Sequence, residues 1–116
     1  MKNERVEKIF YECMKIVDDK NHDYASEDDF YKNFRMVEVI GTPAWVGCYI
    51  RFLDKVSRMN GFIERLQRDG TAEVKNESIE DTFQDAINYM AICLDLFRQQ
   101  AKEKKRKPKI ERGNND

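Results

Sequence analysis

A chain of 116 residues has room for one domain and a single modest hydrophobic core, not two. Charged residues make up 37% and hydrophobic ones 41%, with two prolines and five glycines; this mix suits amphipathic helices and argues against a turn-rich sandwich or barrel. Residues 1–98 hold 14 basic and 19 acidic side chains, whereas residues 99–116 hold 7 and 3. An acidic body with a basic tail argues against a nucleic-acid groove spread over the fold.

No apolar run nears the roughly 20 residues of a membrane span, and no leader pattern opens the chain, so a cytoplasmic protein without membrane contact is expected. Cys13, Cys48 and Cys93 are odd in number, far apart and set among apolar neighbours. They are expected to be reduced core residues rather than a zinc site or a disulfide framework. The single histidine, His22, excludes a catalytic triad or a histidine-rich metal centre.

In chain order, the first helix is expected to follow Asn3 as N-cap and to run to about Lys20. Val6, Ile9, Phe10, Cys13, Met14 and Val17 supply its apolar stripe. A polar loop from Asp18 to Ala25 comes next. Ser26 with Asp29 resembles a capping box opening a second helix to Ile40, stopped by Gly41. Thr42-Pro43 reads as N-cap and first helical position of a third helix. That helix reaches Met59 at least, with an end or kink at Asn60-Gly61 and a loop from Arg68 to Asn76. The fourth helix starts near Glu77 or Ser78 and passes Arg98. From Ala101 onward the lysine-rich chain is expected to fray. The architecture expected is all-α, an antiparallel bundle of about four helices over residues 1–98 with a basic tail over 99–116. With two short helices and narrow apolar faces, such a bundle is expected to complete its core as a homo-oligomer.

Two helical stripes stand out from ordinary surface. On the third helix, Trp45, Tyr49, Phe52, Leu53, Val56 and Met59 form a broad apolar arc, and the remaining arc carries Arg51, Asp54, Lys55 and Arg58. Gly47 falls one turn before Arg51, where a missing side chain permits close approach to the backbone. On the fourth helix, Ile79, Phe83, Ala86, Ile87, Met90, Leu94 and Phe97 are expected to be buried. Glu77, Asp81, Gln84, Asp85 and Asn88 share its other side, the strip ending at Ile92. Asp81 and Asp85 are i, i+4 neighbours whose carboxylates repel. Paired acids of this kind invite a hard cation with oxygen ligands, magnesium or manganese. The plain alternative is a solvated surface in which Arg51, Lys55 and Arg58 pair with Asp81 and Asp85 across the helices.

Three segments in order carry a resemblance: Lys20 to Tyr24 (KNHDY), Asp54 to Arg58 (DKVSR) and Glu77 to Tyr89 (ESIEDTFQDAINY). Together they resemble the phage and bacterial family called nucleotide modification associated domain 1, over roughly residues 5 to 97. That family is similar in turn to the all-α NTP pyrophosphatases of the MazG and dimeric dUTPase group. The resemblance implies a MazG-like helical fold in a bacterial or phage-infected cell, and a Mg-dependent reaction releasing pyrophosphate from a nucleoside triphosphate. It also implies Glu77, Asp81 and Asp85 as metal ligands, Asp54 as a further ligand or water-orienting base, and Asp54 with Asp85 as the catalytic acids. Lys55, Arg58 and Arg51 would neutralise phosphates. Lys20, Asp23, Tyr24 and Asn88 complete the implied substrate contacts.

The chain departs from the pyrophosphatase pattern in two respects, the lesser being Ala25 in place of the usual glycine after the Asp23-Tyr24 pair. Where those enzymes carry a paired E-x-x-E, its third helix offers one acid, Asp54, among three cations. A non-catalytic nucleotide or nucleotide-signal binder therefore stands beside the enzyme, and a helical interaction module beside both.

Overall fold

The computed structural model describes residues 2–24, 31–70 and 78–106, with side chains described to residue 19 in the first span and to residue 105 in the last. Every regular element in these spans is helical: α1 (Glu4–Tyr24), α2 (Lys32–Arg35), a 3-10 helix (Met36–Ile40), α3 (Ala44–Asp69) and α4 (Ile79–Arg106). The all-α bundle-like architecture follows from local signals. Asn3 caps α1, its Oδ1 accepting the Val6 N–H at 3.0 Å and its carbonyl the Glu7 N–H at 3.0 Å. Ser78 caps α4, its Oγ accepting the Asp81 N–H at 3.3 Å.

Boundaries differ from the sequence expectation in five places. Helix α1 continues through residues 18–24 rather than giving way to a loop after Lys20. The second helix is α-helical for only four described residues and then tightens into 3-10 over Met36–Ile40. Val37, Val39 and Ile40 are β-branched and crowd an α-helical turn, and Gly41, at φ 79°, closes it by donating to the Glu38 carbonyl. Pro43, not Thr42, is the N-cap of α3. That helix passes Asn60-Gly61 unbroken to Gly70, because buried Phe62 anchors its far half and an interior glycine costs only about 1 kcal/mol. At the other end α4 extends to Arg106, past the expected fraying point.

The α3–α4 pair is the main packing unit, with α2 and the 3-10 helix against α3 and α1 against α4. Its centre is Ala44, Cys48, Cys93 and Leu96, flanked by Tyr31, Phe34, Trp45, Tyr89 and Ile92. All three cysteines are free and buried, as the sequence suggests. The Cys48 thiol donates to the Tyr89 carbonyl at 3.2 Å and the Cys93 thiol to the Trp45 carbonyl at 3.1 Å, so each stitches one helix to the other.

The inward face of α4 is the expected one only in part: Ala86 is buried as expected and Ile79 and Ile87 are half-buried. Thr82, Ala86, Cys93 and Leu96 are buried, whereas Phe83, Met90, Leu94 and Phe97 are about half exposed. On α1, Cys13 is buried while Val6, Ile9, Phe10 and Met14 remain exposed. The apolar arc of α3 is likewise covered only in part, with Tyr49 and Leu53 open.

Candidate phosphate-binding face between α3 and α4

The two charged rows meet at Lys55 and Asp85. The Lys55 Nζ stands 3.3 Å from Asp85 Oδ2, with both side chains largely withdrawn from solvent, and lies 5.9 Å from the centre of the Tyr89 ring. The geometry follows from sequence spacing: Lys55 follows Cys48 by two turns, and Asp85 precedes Cys93 by just over two on the antiparallel helix. The pair thus belongs to the seam the thiols define. Burial raises the Cys13 thiol first, and the neighbouring charges of Glu12 and Asp85 raise it further, which sets this part of α1 beside the acid.

Around that pair the predicted residues separate. Arg51 is exposed, its guanidinium 6.0 Å from the Phe34 ring centre. Asp54, Arg58 and Asp81 are exposed, and Asn88 is half-buried. Glu77 lies outside the described residues, as do the side chains of Lys20, Asp23 and Tyr24. Gly47, expected to let something approach the backbone, is approached by the chain itself. A Cβ there would lie 2.6 Å from the Phe34 carbonyl oxygen and 3.0 Å from Val37, so its bareness serves packing of the second helical segment.

The implied magnesium can be tested against these placements. Among the described residues no three of His, Cys, Asp and Glu stand together in a way that would hold a metal ion. Asp85 also already faces an ammonium group rather than an open space. Of the three implied ligands, Asp81 and Asp85 are among the described residues and Glu77 is not, so the described residues hold only part of the implied set.

A second polar cluster lies toward the C-terminal end of α4. The Tyr31 hydroxyl donates to Asp95 Oδ2 at 2.8 Å, Gln99 Nε2 donates to the same oxygen at 3.2 Å, and Arg35 donates to Gln99 Oε1 at 3.2 Å. Burial, then the bond to Asp95, pushes the Tyr31 hydroxyl up to about 12. Trp45 donates its indole N–H to Gln100 Oε1 at 3.0 Å and packs edge-on to Phe97, which gives it a structural task. A hollow of about 70 Å³ beside these groups, lined by Arg35, Trp45, Gln99 and Gln100, is far below the ~300 Å³ or more of a small-molecule site. The signal for this cluster was in the sequence: after Ile92 the polar arc of α4 resumes at Asp95 and Gln99 with the same i, i+4 spacing.

No family model, curated protein or solved structure matches the chain. The resemblance to nucleotide-handling proteins rests on the three segments alone.

Proposed function

We propose that the chain binds a nucleotide through its phosphates on the α3–α4 face around Lys55, with pyrophosphate release from a nucleoside triphosphate as the reaction. The observation that carries this reading is the half-buried Lys55–Asp85 pair, with Arg51 about one turn before it and Arg58 about one turn after it on α3. A lysine so placed can turn from its carboxylate to an incoming phosphate without crossing bulk water, a charge-assisted exchange of one anion for another. Asp81 and Asp85 supply acceptors for a hydrated magnesium or manganese accompanying the nucleotide, and Asp54 an exposed acid on the facing helix. Magnesium enters as a variable of the test, because Lys55 now occupies Asp85.

A second reading, a nucleotide held without cleavage, is favoured by that same occupancy: a cation sits where a catalytic metal would need the acid. The third, an interaction module in which Lys55–Asp85 is only an interhelical tie, predicts no nucleotide effect at all. The test is thermal melting and pyrophosphate release with each canonical and modified dNTP, with and without Mg²⁺ or Mn²⁺. A ligand at about 100 times its dissociation constant adds ~2.7 kcal/mol and gives a clear rise in Tm. Turnover supports the enzyme, a rise in Tm without turnover the binder. An unchanged Tm with every nucleotide and metal removes both. Lys55→Ala should weaken triphosphate binding more than nucleoside binding, and equal losses would remove Lys55 as a phosphate contact.

A further inference from the structure

The cationic row of α3 does not end at Arg58. Arg51, Lys55, Arg58, Phe62 and Arg65 follow at i, i+4, i+7, i+11 and i+14, so all five fall within roughly 80° of the helix circumference. Phe62 is 2% exposed and forms an apolar floor, and the Arg65 guanidinium carbon lies 5.3 Å from its ring centre. Both Nη atoms stand 3.7 Å from where a Cβ on Gly61 would be, so the side chain folds back along α3 by about one turn, toward Arg58. The Arg65 Nε is buried, and among the described residues it is the only such side-chain polar atom without a hydrogen-bond partner. Asp69, the acid one turn farther on, is held by Arg68 at 3.2 Å. Contact with the Phe62 ring accounts for the guanidinium's place but leaves the Nε N–H unpaired. A donor left so weakens the fold and requires a reason.

We infer that Arg65 is an anion-seeking arm that holds the distal phosphate of a polyphosphate chain whose other end lies at Lys55, so that this face selects triphosphates over monophosphates. The guanidinium rests at the level of Gly61, six residues beyond Lys55, or about 9 Å along the helix axis. A single phosphate cannot span that distance. A chain of phosphates can, with Arg58 between its two ends. Lys55 has to leave a carboxylate at 3.3 Å before it can take a phosphate, whereas the Arg65 Nε gives up no hydrogen bond when the guanidinium swings off the ring. The anion then receives two parallel N–H donors from the Nε–Nη edge, a fork that a lysine cannot offer. This assignment rests on the phosphate part of the proposed function, and on neither the base nor hydrolysis.

Calorimetric titration with orthophosphate, pyrophosphate, tripolyphosphate and each dNTP tests this on the wild type, Arg65→Met and Arg65→Lys. Tripolyphosphate should bind the tightest of the three inorganic ions. Arg65→Met should weaken it about tenfold or more, the worth of one charge-assisted hydrogen bond, and leave orthophosphate unchanged. The unliganded Tm of that variant should stay level or rise, since methionine keeps an apolar contact with Phe62 and removes the unpaired donor. Arg65→Lys, which retains the charge, should recover part of the lost affinity. Should Arg65→Met fail to fold, Arg65→Gln carries the same comparison. Unchanged tripolyphosphate affinity, an equal loss on orthophosphate, or a fall in the unliganded Tm without a change in affinity overturns the inference. Arg65-dependent binding of tripolyphosphate with no nucleotide bound would remove the nucleotide and keep the arm; nucleotide binding indifferent to Arg65→Met would do the reverse. No binding of any phosphate removes both.

Discussion

The two faces of α4 differ in side-chain size more than in polarity. The face turned inward carries Thr82, Ala86, Cys93 and Leu96, the last two packed with Ala44 and Cys48 of α3; the face one residue round carries Phe83, Met90, Leu94 and Phe97. Small residues let two backbones come close enough for thiols to donate to the opposite helix's carbonyls. Large ones hold a neighbour farther off and bury more area per residue. The first is how a chain packs against itself tightly, and the second suits a separate surface.

The largest effect that separates the faces is at two leucines of α4 two residues apart: Leu96, 3% exposed, and Leu94, 48% exposed. Leu96→Ala should cost about 2–5 kcal/mol in chemical denaturation whatever the protein concentration. Leu94→Ala, at a half-exposed position, should cost well below that range. Equal, concentration-independent losses at both would erase the distinction. Next comes Gly47→Ala, expected to destabilise by about 1–3 kcal/mol. The new Cβ meets the Phe34 carbonyl, a backbone atom that moves only if the second helical segment moves with it. A neutral Gly47→Ala would mean that this segment does not seat on α3.

The packed face should also carry a signature in alkali. Burial pushes the Cys48 thiol up to about 12, with Cys93 adding to the rise, and burial holds the Cys93 thiol above its ordinary range. Both groups are neutral when protonated, and the unfolded chain loses those protons near the usual thiol pKa of about 8.5. Their contribution is therefore complete below that pH and is lost as pH rises toward about 12, where Tyr31 behaves likewise from about 10 upward. Urea midpoints measured from neutral pH into this range should fall, and Cys48→Ala should flatten the early part of the decline. An unchanged slope in that variant would place the titration elsewhere.

Much of this was legible in the sequence, for local reasons. Asn3 and Ser78 announce helix starts because their side chains accept the N–H three residues on. Gly41 announces a stop because it takes the left-handed conformation. The three cysteines read as buried because nothing pairs them by spacing. The meeting of Lys55 with Asp85 was foreseeable as one of several cross-helix pairings. Which α4 stripe turns inward was not, since the two are both apolar and differ by one residue, a rotation of about 100°. Hydropathy favours the large residues of the Phe83 stripe; close helix approach favours the small ones, and only the tertiary pairing reveals which requirement governs. Gly47 was legible only in part for a related reason: a bare backbone position says that something approaches, not whether it is a ligand or the chain itself.

The smallest expected stability effect is at the ion pair, and its smallness is informative. Lys55 and Asp85 are partly withdrawn from water, so their attraction exceeds that of a surface pair, yet each has already lost hydration to reach the seam. Lys55→Met keeps the aliphatic stem against Tyr89 and leaves Asp85 within reach of solvent, so the net cost should stay below about 1 kcal/mol. Urea denaturation of Lys55→Met and of Lys55→Met with Asp85→Leu gives the value. If the single variant loses several kcal/mol and the double recovers them, the pair exists to hold the helices together and the phosphate role falls. If both remain near wild type while triphosphate affinity drops, the lysine is dispensable to the fold and its position is explained by what it binds.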